Sequence, residues 1–121
     1  MGKNKTIFVI KTPVPASPTV TCYQHTWYGH VLKRHPEVDG HLHDVKTVVA
    51  EPSYVFLDPG TRLRPAQSYI FVNTTVKNFY GSPLAVVVDP DQLFVRTAHY
   101  DQSLINPELK IIWPGTNDGA E

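Results

Sequence analysis

Histidine is the residue type in this sequence whose number and spacing suggest chemistry. Six histidines occur in 121 residues, and five of them fall within nineteen consecutive positions: His25, His30, His35, His41 and His43. Imidazole gains and loses a proton near neutral pH, so a cluster of this kind fits either acid–base catalysis or metal binding.

The metal interpretation requires three or four ligands that converge on one point. His41 and His43 are two positions apart, so on a helix they face different sides. A helix break at His35-Pro36 separates His30 from His35, and the only cysteine is Cys22. The sequence therefore predicts no metal ion and no other cofactor, although a metal-dependent hydrolase built on this cluster stays an alternative.

The acid–base interpretation points first to His30. It follows Trp27 by three residues in a predicted helix, so the two side chains are expected on one face. If Trp27 packs into the core, His30 lies at the edge of the junction between helix and sheet. The alternative is a half-buried histidine that donates to a backbone carbonyl.

Two further groups could contact a phosphate. Arg62 and Arg64 are two positions apart, and in an extended segment both guanidinium groups would point to one side and clamp a phosphate. In the last strand, alternation places Val95, Thr97 and His99 on one face, so Thr97 puts a hydroxyl in an apolar row. The alternatives are two solvated turn arginines and a β-branched residue that fills space.

The elements that must position these residues are predicted from periodicity and turn signals. The first is a short strand over residues 6–10, followed by a loop with three prolines and a β-prone run over 19–24. Thr26 is expected to cap a short helix that begins at Trp27, and a second helix is predicted over 36–50 from the apolar stripe Val38, Leu42, Val45 and Val49. Four strands are predicted after it, at 54–57, 69–72, 84–88 and 93–97. The apolar segment at 109–113 is a candidate for a further edge strand.

These elements predict an α+β fold in which two short N-terminal helices pack on a four-stranded antiparallel sheet. The length fits one domain over residues 1–121, with a core of about 19–101. The formal net charge is zero, so any polyanion site is a local cluster. A lone cysteine and the absence of a long apolar run predict a cytoplasmic protein that does not enter membranes.

The order of the motifs resembles the phage-associated branch of the barnase–EndoU–colicin–RelE (BECR) nuclease superfamily. The resemblance covers roughly residues 23–101. Its motifs are Trp27 and His30, the stretch 31–37 (VLKRHPE), a helix ending at Glu51-Pro52, an arginine between the first strands, the run 85–88 (AVVV) and the closing 95–100 (VRTAHY). The last strand ends Thr-Ala-His-Tyr, one residue longer than the pattern expected for the family.

This resemblance implies a metal-independent endoribonuclease, a hydrolase of toxin or phage context, with RNA as its substrate and transfer RNA as one candidate. It implies a site made of His30, His35, one of Arg62 or Arg64, Thr97 and Tyr100, and a cognate antitoxin or immunity protein as a partner. The 2′-hydroxyl of the RNA would attack the phosphodiester. The alternative function is a non-catalytic module of a phage or mobile element that binds RNA or protein.

Overall fold

The structure is a computed structural model that describes residues 5–114. The strands are β1 (Thr6–Lys11), β2 (Thr19–Tyr23), β3 (Tyr54–Asp58), β4 (Ser68–Val72), β5 (Leu84–Val88), β6 (Val95–Tyr100) and β7 (Lys110–Trp113). The helices are α1 (residues 24–34) and α2 (Leu42–Ala50), with 3₁₀ turns at Pro36–Val38 and Gln102–Ile105. The mixed α+β class predicted from the sequence is confirmed.

The main sheet has five antiparallel strands in the order β6-β5-β4-β3-β7, so the prediction of a four-stranded sheet is wrong. The additional strand is β7, which pairs with β3 and lies at one edge. It is contributed by the C-terminal apolar piece, which returns to the sheet beside the first of its strands instead of extending the meander. The other edge is β6.

A separate two-stranded sheet precedes the main one. β1 and β2 pair antiparallel, and the proline-rich loop between them is fastened by a hydrogen bond from the Thr12 N–H to the Pro18 carbonyl. The hairpin reaches the main sheet through the Thr21 N–H, which donates to the carbonyl of Leu93 just before β6. The chain therefore enters α1 beside the first residues of β6.

The first helix differs from the prediction in its start and in its geometry. It begins at Gln24, and the Thr26 hydroxyl makes no capping hydrogen bond. Its middle, Trp27–Val31, is π-helical, with the Leu32 N–H donating to the Trp27 carbonyl five residues back. A π turn holds more residues than an α turn, so the residue three positions after Trp27 stops short of a full turn and lies away from the face of Trp27.

The predicted helix over 36–50 is two elements. Pro36–Val38 forms a 3₁₀ turn, and α2 begins only at Leu42. Between them Asp39 is extended and Gly40 has φ +83°, in the left-handed region that glycine adopts without strain. The apolar stripe is nevertheless buried as expected at Val38, Val45 and Val49.

The last strand of the meander is displaced from its predicted position at 93–97. Leu93 has φ +59°, which a strand residue does not adopt, so β6 begins at Val95. A bulge then leaves Arg96 without a partner, because Val95 is opposite Val88 while Thr97 is opposite Val87. Val95 therefore shares a face with Ala98 and Tyr100, and the prediction that it shares one with Thr97 and His99 is wrong.

The core lies mainly on one face of the sheet. Buried residues of α1, α2, the Pro36–Val38 turn and the hairpin cover Val55, Phe71, Leu84, Val86 and Val88 there. A smaller apolar cluster on the opposite face contains Phe56, Ile70, Val72, Ala85 and Leu104. No helix within residues 5–114 is both long enough and apolar enough to cross a membrane.

Candidate active site

The fold brings together two histidines that are distant in sequence. The ring of His35, at the end of α1, stacks on the ring of His99 in β6, with 4.9 Å between ring centroids and 26° between the ring planes. α1 runs along the edge strand β6, because its entry lies beside Leu93 and its end reaches His99. The helix thereby delivers His35 to the far end of that strand.

Each histidine of this region has a carboxylate beside one ring nitrogen. Nδ1 of His35 lies 3.5 Å from Glu37, Nε2 of His99 lies 3.6 Å from Asp101, and Nδ1 of His41 lies 3.1 Å from Asp44. A carboxylate that accepts a hydrogen bond from one nitrogen fixes the orientation of the ring and leaves the other nitrogen for a substrate. We call these six residues the histidine–carboxylate cluster.

Tyr100 joins the cluster from the other face of β6. Its ring meets that of His41 edge to face, with 6.0 Å between centroids and 88° between planes. Successive strand residues point to opposite faces, so His35 and His41 contact the end of the edge strand from its two sides. Partial burial, followed by the charges of Asp44 and Glu37, raises the pKa of the Tyr100 hydroxyl, which therefore remains a hydrogen-bond donor at neutral pH.

The protonation of His99 is set by its surroundings. Burial and the neighbouring His35 lower its pKa, and together they outweigh the opposite effects of Asp101 and Glu37. Burial alone would raise the pKa of Asp101, but hydrogen bonds from Ser103 and the charge of His99 bring it below its ordinary value. His99 is thus a neutral imidazole at neutral pH with an ionised carboxylate beside it.

The 3.6 Å contact between Nε2 and Asp101 favours one tautomer of His99. If Nε2 carries the proton and donates to Asp101, Nδ1 holds the lone pair. Nδ1 is a buried atom with no hydrogen-bond partner among the described residues. Its lone pair is therefore not used within the described part of the fold.

Two predicted site residues, His30 and Thr97, lie outside the histidine–carboxylate cluster. His30 is exposed, whereas Trp27 and Val31 are buried, so His30 does not share the face of Trp27. Thr97 is half-buried in β6, and its Oγ1 is a buried atom without a hydrogen-bond partner in the described residues. Thr97 and His99 lie on the same face of β6, opposite Val87 and Ala85.

Arg62 and Arg64 lie at the other end of the sheet. They belong to the exposed link between Asp58 and Ser68, whereas Tyr100 is opposite Leu84 at the far ends of β6 and β5. Four residue steps along a strand separate these ends by about 13 Å, before the length of the loop is added. The loop also turns instead of running extended, with the Thr61 N–H donating to the Arg64 carbonyl at 2.7 Å.

The described residues hold neither a metal-binding group nor a reactive thiol. No group of three or more histidine, cysteine or acidic residues among residues 5–114 is arranged to hold a metal ion. Cys22 is fully buried, and burial raises the pKa of its thiol to about 12, so it carries no thiolate for nucleophilic attack.

Sequence reasoning overlooked His99 as a member of the site, as well as the carboxylates Glu37, Asp44 and Asp101. The carboxylate spacings of two and three residues from a histidine were visible, but nothing local distinguishes them from surface pairs. A second signal was the distribution of charge. The first 36 residues hold five lysines and arginines and no acidic residue, and all eleven acidic residues follow from Glu37 onward.

Comparison with known proteins adds no relative. No family model, no curated protein and no solved structure matches this chain. The function proposed for this protein therefore rests on the site itself.

Proposed function

We propose that this protein is a metal-independent endoribonuclease whose acid–base pair is His35 and His99. The observation that carries the proposal is the stacking of these two imidazoles at 4.9 Å, each with its own carboxylate partner. Cleavage by the 2′-hydroxyl requires one group that accepts a proton and one that donates a proton, on either side of a single phosphorus. Two adjacent histidines meet both requirements without a metal.

In this mechanism His99 is the base, because its lowered pKa keeps it neutral, and its buried Nδ1 must become accessible for the lone pair to reach the 2′-hydroxyl. It takes the proton of the 2′-hydroxyl as that oxygen forms a bond to phosphorus, and His35 gives a proton to the 5′-oxygen as the bond from phosphorus to that oxygen breaks. The products are a 2′,3′-cyclic phosphate and a 5′-hydroxyl. Tyr100, which keeps its proton, donates to a phosphate oxygen.

The positive charge for the phosphate comes from α1 in this proposal. Lys33 and Arg34 are exposed in its last turn, immediately before His35, and neither forms an ion pair with another described residue. This assignment replaces Arg62 and Arg64, whose loop lies at the opposite end of the sheet. The toxin or phage context and a cognate inhibitor remain predictions from the resemblance.

A non-catalytic RNA-binding module is the second candidate. Two observations favour it: Nδ1 of His99 is buried, and three carboxylates lie in the cluster, where each would repel a phosphate unless its histidine is protonated. A protein of this kind would bind RNA through the basic end of α1 and leave it intact.

The test is incubation of the purified protein with total RNA and transfer RNA in excess chelator, with mapping of the product ends. Cleavage that leaves cyclic phosphates is expected, with a loss of about 10²- to 10⁴-fold in the His35→Ala and His99→Ala proteins. His43→Ala is the matched control, because His43 is exposed and outside the cluster. His30→Ala is tested in the same assay. Loss of RNA cleavage in His30→Ala, together with full cleavage by His99→Ala, would assign the acid–base role to His30. RNA that is bound but not cleaved would establish the binding module.

A further inference from the structure

The loop between β4 and β5 carries two aromatic side chains at its tip. Phe79 is 96% exposed and Tyr80 is 83% exposed, and their rings meet edge to face with centroids 5.4 Å apart. Burying a large apolar side chain is worth about 1.5–3 kcal/mol, so leaving two adjacent rings in water forgoes a substantial stabilisation. Such exposure has no use in the packing of this domain.

The tip is an ordered turn. Oδ1 of Asn78 accepts hydrogen bonds from the N–H groups of Tyr80 at 3.0 Å and Ser82 at 2.9 Å. Asn78 and Ser82 are further joined between their backbones, and Gly81 takes φ +83°, which closes the turn without strain. The two rings are therefore presented from a fixed backbone, and binding a ligand there requires little ordering of the loop.

The tip lies at the same end of the sheet as the histidine–carboxylate cluster. The carbonyl of Pro83 accepts from the N–H of Asp101, and the Ser82 hydroxyl donates to Gln102 at 2.6 Å. Leu84, the first residue of β5, is opposite Tyr100. The base of the loop is thus bonded directly to the segment that carries the Asp101 partner of His99.

The chemistry of the loop indicates what the rings bind. Between residues 73 and 83 the only charged side chain is Lys77, which is exposed, so the loop presents flat apolar rings beside one cation and no anion. Unpaired nucleobases offer flat faces linked by phosphates, and they stack on aromatic side chains in single-stranded RNA recognition. A membrane-binding tip would carry a cluster of basic residues around the rings, which this loop lacks.

We propose that Phe79 and Tyr80 form a stacking platform for unpaired bases, and that the substrate class of this protein is single-stranded RNA or an RNA loop. The proposal rests on the proposed ribonuclease function, whose phosphate site would be the cluster. Stacking of one or two bases on the rings positions the adjoining backbone towards Tyr100 and His99. A base paired within a duplex is already stacked on its neighbours and does not reach the platform.

The experiment measures the binding of a labelled 2′-O-methyl oligoribonucleotide of about ten nucleotides, single-stranded and as a duplex, by fluorescence anisotropy. The 2′-O-methyl group removes the nucleophile, so binding is recorded independently of cleavage. Single-stranded affinity is expected to exceed duplex affinity, and to fall about tenfold or more in Phe79→Ala and Tyr80→Ala proteins. Tyr80→Phe, which keeps the ring, should retain it. Leu63→Ala, at an exposed tip of the opposite loop, is the matched control.

Unchanged affinity in both alanine variants, equal affinity for the duplex, or binding to anionic vesicles without binding to RNA would overturn the platform. The two proposals separate in a parallel assay with the unmodified oligonucleotide. Aromatic-dependent binding without cleavage would support the platform and end the ribonuclease proposal. RNA cleavage together with binding that is independent of both rings would support the ribonuclease proposal and overturn the platform.

Discussion

The guanidinium of Arg96 lies 2.8 Å from the carboxylate of Asp89, across the turn that joins β5 and β6. The same guanidinium donates to the Gln67 carbonyl and to the hydroxyl of Ser68 in β4. Burial alone would raise the pKa of Asp89, but hydrogen bonds from the Gln92 and Asp91 N–H groups and from Arg96 bring it below its ordinary value. Arg96 therefore joins β6 to the β5–β6 turn and to β4. Its presence in the 95–100 motif is explained by its role in folding.

Replacing Arg96 by methionine should destabilise the fold. The change leaves an ionised carboxylate, the buried Ser68 hydroxyl and the exposed Gln67 carbonyl without their donor, so the free energy of unfolding should fall by about 2–3 kcal/mol. Urea denaturation measures it, with Arg62→Met as the control, because Arg62 is exposed and should change stability by less than about 0.5 kcal/mol. Equal stability of the two variants would show that the Arg96 contacts contribute nothing net.

The stability of the protein should depend on pH through His99. Its pKa is lower in the fold than the ordinary value of 6.5, so below that value the unfolded chain binds a proton that the folded chain does not. The free energy of unfolding should therefore decrease as the pH falls from about 7.5 to about 5.5. The facing groups are His35, Glu37 and Asp101, and Asp101 titrates below this window because its own pKa is lowered from 3.8.

The check is a series of urea denaturations across that range for the parent protein, His99→Gln and His43→Gln. The decrease should be smaller in His99→Gln and unchanged in His43→Gln, since His43 is exposed and lies in no ion pair with a described residue. A His99→Gln protein with the parent's slope would place the titrating group elsewhere.

Local patterns predicted most strands, because alternating and β-branched residues between turn signals constrain the backbone on their own. The strand at Leu84–Val88 has its predicted bounds, and the strand beginning at Tyr54 extends one residue further than predicted, to Asp58. Two of the failures depended on single backbone angles. The positive φ of Leu93 and of Gly40 moved the start of β6 and divided the predicted helix over 36–50. Neither angle is encoded in periodicity.

The candidate site was less predictable than the fold for a different reason. His35 and Tyr100 were selected from short motifs, but their neighbours depend on the register of β6 against β5, and the bulge at Arg96 changed which side chains share a face. The separation of Arg62 from Tyr100 likewise follows from strand order and register. These long-range pairings are properties of the folded sheet, which a single sequence does not display.

Thr97 provides a test that separates a structural hydroxyl from a functional one. Its Oγ1 is buried without a partner in the described residues, so Thr97→Val replaces an unsatisfied polar atom by a methyl group of similar size. We expect the free energy of unfolding to rise by about 1 kcal/mol and RNA cleavage to persist. Thr97→Ser keeps the hydroxyl and serves as the comparison. Cleavage lost in the valine variant and kept in the serine variant would instead assign the hydroxyl to the substrate phosphate.

Two glycines with the same backbone conformation should respond differently to alanine. Gly60 has φ +85°, and a Cβ there would lie 2.6 Å from the Pro65 carbonyl oxygen and 2.7 Å from that of Arg64. Gly40 has φ +83°, but nothing lies within 4 Å of its Cβ position. Gly40→Ala therefore bears only the left-handed strain of about 1–2 kcal/mol, whereas Gly60→Ala adds a clash between backbones that displaces the loop carrying Arg62 and Arg64.

Urea denaturation of both variants should show the larger loss of stability for Gly60→Ala, by at least about 1 kcal/mol beyond Gly40→Ala. Because this loop is at the opposite end of the sheet from His99, RNA cleavage by the folded Gly60→Ala protein should remain at the parent level at a temperature well below its unfolding transition. A Gly60→Ala protein that stays fully folded yet loses cleavage would mean that the 59–67 loop contacts the substrate, and would restore Arg62 or Arg64 as the phosphate clamp.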